Sequence, residues 1–199
     1  SINFNCFVRV AYFCFCGSGG MRPPYYSSSS GDLSEAKFLL QSTTRRTIVA
    51  LPSPYTIARR MWSSEHSTAA YPTRAGFMEA CIPIVNEELK RLTALGVDAI
   101  QLDDPWLVLL VDPEYRAREH IRDISAEIEM SIRGVNGAVQ DVNHPFVSVH
   151  LCHAHGNRKH STRGPYDEII GALSHMNVHR FAMEFATPDA GGVGVLERF

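Results

Sequence analysis

Four short apolar runs, rich in β-branched residues, recur along the chain with helical patterns between them: TIVALPSP at 47–54, VDAIQLDDP at 97–105, PFVSVHLC at 145–152 and RFAMEFATP at 180–188. No other feature constrains the fold as much. Runs of this length read as strands buried within a sheet, and a strand that is followed by a helix and then another strand re-enters the sheet in the same direction. The expected architecture is therefore α/β with a parallel sheet.

The helical stretches support this reading. DLSEAKFLLQ, residues 32–41, has Asp32 as N-cap with Glu35 three positions on. Over residues 73–95, Phe77, Cys81, Val85, Leu89 and Leu92 recur at three- and four-residue steps, Gly96 marks the stop, and Pro83 predicts a kink. Asp112-Pro113 is an N-cap followed by proline, and Ile121, Ile124, Ile128 and Ile132 form an apolar stripe after it, which predicts one further helix. YDEIIGALSHM, residues 166–176, is the helix that precedes the fourth strand. Residues 1–30 differ in style, Cys- and aromatic-rich and then Gly-, Pro- and Ser-rich, and read as an irregular N-terminal segment ahead of a single α/β domain over 31–199.

Composition narrows the partners. Of 199 residues, 19 are Lys or Arg and 21 Asp or Glu, so the chain lacks the basic footprint that nucleic acid or an anionic membrane selects. Five irregularly spaced cysteines in a chain of this length read as reduced thiols, and a cytoplasmic location is expected.

Each strand ends in residues that do not belong in a core: Ser53 between two prolines, Asp103-Asp104-Pro105, His150-x-Cys152-His153, and Glu184 with Thr187-Pro188. The carboxyl ends of parallel strands lie on one side, which in a (β/α) barrel is the side of the active site. Period-two alternation puts His150 and Cys152 on one face of the third strand, from which imidazole nitrogen and thiolate sulfur can reach one metal ion. Glu184, flanked by Met183 and Phe185, is costly to bury unless paired or bound to a cation. The bland reading is a hydrogen-bonded core histidine and a small buried cysteine. Asp104 is most simply a turn or cap residue, and His153, His155 and His160, past the strand end, are expected in solvent or a substrate loop.

These segments resemble the cobalamin-independent methionine synthase family. VDAIQLDDP is similar to its Gln-Ile-Asp-Glu-Pro segment, with Gln101, Asp103 and Pro105 matching and Asp104 in place of Glu. SVHLC resembles its His-x-Cys zinc strand, MEFA the strand bearing its zinc-binding glutamate, and LPSPYTIA its Gly-Pro-Val-Thr strand end. The order is the family's, over roughly residues 45–199. The resemblance implies a (β/α)8 TIM-type barrel that transfers a methyl or alkyl group to a thiol held on Zn2+. His150, Cys152 and Glu184 would be the metal ligands. Asp103, with Gln101 and Asp104, would serve the substrate, Asp103 holding the amino group of a homocysteine-like thiol. The family's fourth ligand, a cysteine on a later strand, has no counterpart before Phe199, and four strands stand for eight, so the barrel is expected to be incomplete. HAHGNRKHSTRGPY is closer to the short single-barrel relatives, which leaves methyl-folate open as the donor.

Two other readings remain. In a metal-dependent hydrolase, His153 and His155 would be the ligand pair and bound water the nucleophile. An inactive, truncated barrel would leave unpaired strand edges as surfaces for association.

Overall fold

The computed structural model describes residues 33–156, 159–160 and 162–199. Asp32, expected to cap the first helix, lies outside them, as do residues 1–30 and three of the five cysteines. Helix α1 spans Ser34–Ser42 and buries Ala36 and Leu39. Strand β1, Ile48–Pro52, leads directly into helix α2, Pro54–Met61. Ser53, between its two prolines, caps α2, its side chain accepting from the Thr56 amide at 2.9 Å, and Pro54 occupies the first turn, where its missing N–H costs nothing.

Helix α3 runs Arg74–Leu95, capped by Thr73 and closed by Gly96 at φ 89°, a left-handed position that glycine takes without strain. It continues through Pro83, and its buried stripe is the expected one with Met78 added. Strand β2, Ala99–Asp103, is followed by a short helix α4, Pro105–Leu109. The single helix expected after Asp112 is two: α5, Pro113–Arg118, and α6, Ile124–Val139. His120 at φ 54° turns the chain between them, and Asp123 starts α6 afresh by accepting from the Ala126 amide at 3.0 Å.

Strand β3, Val147–Leu151, is followed by a two-residue antiparallel hairpin, β4 His155–Gly156 with β5 Lys159–His160. The helix expected over 166–176 shrinks to a 3-10 turn at Tyr166–Glu168 and one turn of helix, α7, Ile170–Leu173. Strand β6, Arg180–Met183, is the last in the sheet.

Among the described residues the main sheet has four strands in the order β1-β2-β3-β6, all parallel. Sequential parallel order is what successive (β/α) units produce, and the observed architecture is a mixed α/β one with an open sheet. Its two faces differ. Val49, Leu51, Ile100, Leu102, Val149 and Leu151 point to the helix layer and are buried. The opposite face carries Ala50, Ala99, Gln101, Asp103, His150, Cys152 and Ala182, all partly exposed, and the buried Ser148.

The helices are tied together by a buried ionic network. Glu127 of α6, 8% exposed, accepts from Tyr55 of α2 at 2.7 Å and is paired with Arg74 of α3. Arg59 reaches Tyr115 of α5 at 2.7 Å, with Glu119 and Glu127 nearby. A charge so buried is tolerated only when so partnered. No helix of the described residues is long and apolar enough to cross a membrane.

Candidate active site at the strand ends

Register brings the strand ends together. Asp103 is paired with His150, and Leu151 with Met183, which leaves Cys152 and Glu184 each one residue past the last paired position. Asp103, His150, Cys152 and Glu184 thus lie at the ends of three adjacent strands. Asp103 Oδ1 lies 3.1 Å from His150 Nδ1 and accepts from Gln101 Nε2 at 2.9 Å. Gln101, two residues before Asp103 and on the same face, orients the carboxylate, and the carboxylate orients the imidazole. With Nδ1 turned to Asp103, Nε2 is the ring nitrogen left for another partner.

Cys152 follows His150 by two residues on the same face, near enough to act on its ring electrostatically. The Asp103 carboxylate, with Cys152 adding to its effect and burial opposing it, pushes His150 up to about 10. A cation entering here therefore competes with a proton for the imidazole. Cys81, by contrast, is an ordinary core thiol, pushed up to about 12 by burial in helix α3.

The Glu184 carboxylate accepts the His153 amide at 3.2 Å, and its main chain meets the Tyr166 hydroxyl, 3.1 Å from both its N–H and its carbonyl. Burial pushes Tyr166 up to about 12, and the charge of Glu184 and the Cys152 sulfur contribute to the shift, so both lie within electrostatic reach of the phenol. Nitrogen, sulfur and oxygen donors of these types suit zinc. His150 and Cys152 share one face of the strand. Glu184 is directed to the His153 amide, and among the described residues no three His, Cys, Asp or Glu side chains close round one point.

Asp104 keeps its expected cap position with its carboxylate turned inward, and His153 sits elsewhere than the sequence reading put it. Asp104 is 0% exposed: it accepts from Ser131 Oγ at 2.6 Å and Thr56 Oγ1 at 3.1 Å, which pins α6 and α2 to the end of β2. It stands at the N-cap of α4 without a side-chain capping bond, and its carboxylate points to the helix layer, away from Asp103 and His150. Strand alternation requires this, since neighbours in sequence project to opposite faces. His153, expected in solvent or a substrate loop, is also 0% exposed, with Nε2 on the Gly164 carbonyl at 2.9 Å. A ring so placed holds the loop. Of His155 and His160 only the backbone is described, paired in the hairpin.

Sequence reasoning missed Tyr166 and the Thr56 and Ser131 hydroxyls; of the hydroxyls on Asp104 it singled out Ser53 alone.

The methionine synthase of Pyrococcus abyssi (strain GE5 / Orsay) is 28% identical over 155 residues, 77% of this chain and 37% of that protein. That of Sulfolobus acidocaldarius is 25% identical over 158 residues, 78% of this chain and 41% of its own length. Among solved structures, a B12-independent methionine synthase from Shewanella sp. W3-18-1, in complex with selenomethionine, superposes with a TM-score of 0.56 at 24% identity, over 75% of this chain and 40% of that one. No family model matches the sequence. The chain spans well under half the length of these relatives.

Proposed function

We infer, from a chain whose relatives and fold make it cobalamin-independent methionine synthase-like, that it forms part of a methyltransferase of methionine biosynthesis with a homocysteine-like thiol as acceptor. The observation that carries this is that His150 and Cys152 share one strand face, with Asp103 in register on one side and Glu184 at the end of the neighbouring strand on the other.

His150, Cys152 and Glu184 would hold zinc, with His150 presenting Nε2 because Asp103 occupies Nδ1. Zinc at such a site keeps a bound thiol deprotonated at neutral pH, where a free thiol is a poor nucleophile. Asp103 has two tasks. Its Oδ1 serves His150 and Gln101, which leaves Oδ2 to receive the ammonium of an amino-acid thiol, and its side chain is 35% exposed, open enough to be approached. The donor is a methyl group carried by a folate-type or simpler compound, and the compartment is the cytoplasm. A hydrolase built on His153 and His155 gains no support from a His153 ring that is buried on a backbone carbonyl.

Zinc titration of the 199-residue chain against a chromogenic chelator tests the reading. Cys152→Ser and His150→Ala should each weaken zinc by at least about tenfold. Homocysteine added to the cobalt(II)-loaded chain should strengthen the sulfur-to-metal charge-transfer band. Affinities unchanged in both variants would refute the site.

A further inference from the structure

We propose that Tyr166 is a positioning residue that fixes the backbone of Glu184 beside the end of the strand bearing His150 and Cys152; the role rests on the zinc site proposed above. The β3–β6 ladder ends at Leu151 and Met183, one residue short of both Cys152 and Glu184. Regular pairing therefore does not fix the two donors relative to one another. The Tyr166 hydroxyl stands at that point, 3.1 Å from the Leu151 carbonyl, the Glu184 carbonyl and the Glu184 N–H. It accepts the N–H and gives its one proton to a carbonyl, so a single oxygen bridges the ends of the two strands.

The phenol cannot easily leave. Its ring is 0% exposed, edge-on to His153 at 5.1 Å and tilted against Phe185 at 5.2 Å. The turn that bears it is anchored by ion pairs from Arg116 to Glu168 and from Arg198 to Asp167. His153, packed on the same ring, donates its amide to Glu184 Oε2. Tyr166 thus sets the main chain of Glu184, and the residue it packs against sets the carboxylate. A residue that is buried, makes three polar contacts at a ladder end and touches no solvent is placed to act through Glu184, never on substrate.

Tyr166→Phe removes the oxygen and keeps both ring contacts. In the 199-residue chain it should lower zinc affinity about tenfold, the effect typical of losing a group that orients a metal ligand. In the cobalt(II) form the thiolate charge-transfer band should persist while the visible ligand-field bands shift. In metal-free protein, hydrogen exchange at the Glu184 amide should quicken. In a Glu184→Gln background the same substitution should change zinc affinity by less than about twofold, because its target is gone. Leu173→Ala, a buried control in the neighbouring helix, should lower stability and leave affinity alone. Wild-type affinity in Tyr166→Phe, or an equal loss with and without Glu184, would overturn the role of Tyr166 and leave the zinc site standing. Failure of the wild-type chain to bind zinc or cobalt would overturn both.

Discussion

Asp104 offers the sharpest test of how the structure is held, through the pH dependence of stability. Its carboxylate is completely buried, and burial, opposed by the Ser131, Thr56 and Ser53 hydroxyls, pushes it from an ordinary value of 3.8 to about 6. Tyr55 also feels its charge, and Glu127 stands on the far side of the Tyr55 hydroxyl. Between 3.8 and about 6 the folded chain holds a proton that the unfolded chain has lost. Stability contributed at this residue is therefore full below the lower value and declines as pH rises through the upper one. At about 1.4 kcal/mol per pH unit, the window is worth about 3 kcal/mol. Asp104→Asn keeps the shape and cannot ionise, so the difference in stability between wild type and variant should drift by about that amount against wild type from pH 4 to pH 7. Carboxylates common to both proteins cancel in the difference. Urea unfolding at four pH values, with two optical probes to check two-state behaviour, would measure it. A difference that moves in favour of wild type as pH rises would show that the three hydroxyls hold the carboxylate ionised against burial, and the reasoning would fail.

Other perturbations separate structure from chemistry. Asp103→Asn should weaken zinc by roughly tenfold or more, because an amide supports the His150 ring less well than a carboxylate; unchanged affinity in a chelator competition would leave Asp103 with the substrate alone. Tyr55→Phe removes a buried donor from Glu127 and should cost roughly 1–3 kcal/mol in urea unfolding without altering zinc affinity. Gly164→Ala adds a Cβ 2.8 Å from the Val111 carbonyl at φ +145°, so it should cost roughly 2 kcal/mol or more. Since the Gly164 carbonyl also holds His153, faster hydrogen exchange at the His153 amide should accompany the loss.

Local pattern accounts for the strands and the long helix. β-branched runs place β1, β2, β3 and β6 to within a residue or two at their starts, and three- and four-residue periodicity with Thr73 and Gly96 as stops gives α3 whole. The parallel sheet followed from alternation, and four quoted motifs pointed to the family that the relatives bear out. Short helices were harder. The stripe Ile121-Ile124-Ile128-Ile132 spans a break that His120 and Asp123 impose, and 166–176 splits into a 3-10 turn and one turn of helix because Tyr166 is drawn inward to the strand ends. Tertiary structure alone decided the partners. Periodicity puts His150 and Cys152 on one face, but only register brings Asp103 beside His150, and only packing carries Asp104 and His153 inward. Tyr166 lies 18 residues from Glu184, and no local rule relates them. Strand position depends on a few neighbouring residues, whereas the direction and partner of a polar side chain depend on what the rest of the fold leaves unsatisfied once water is excluded.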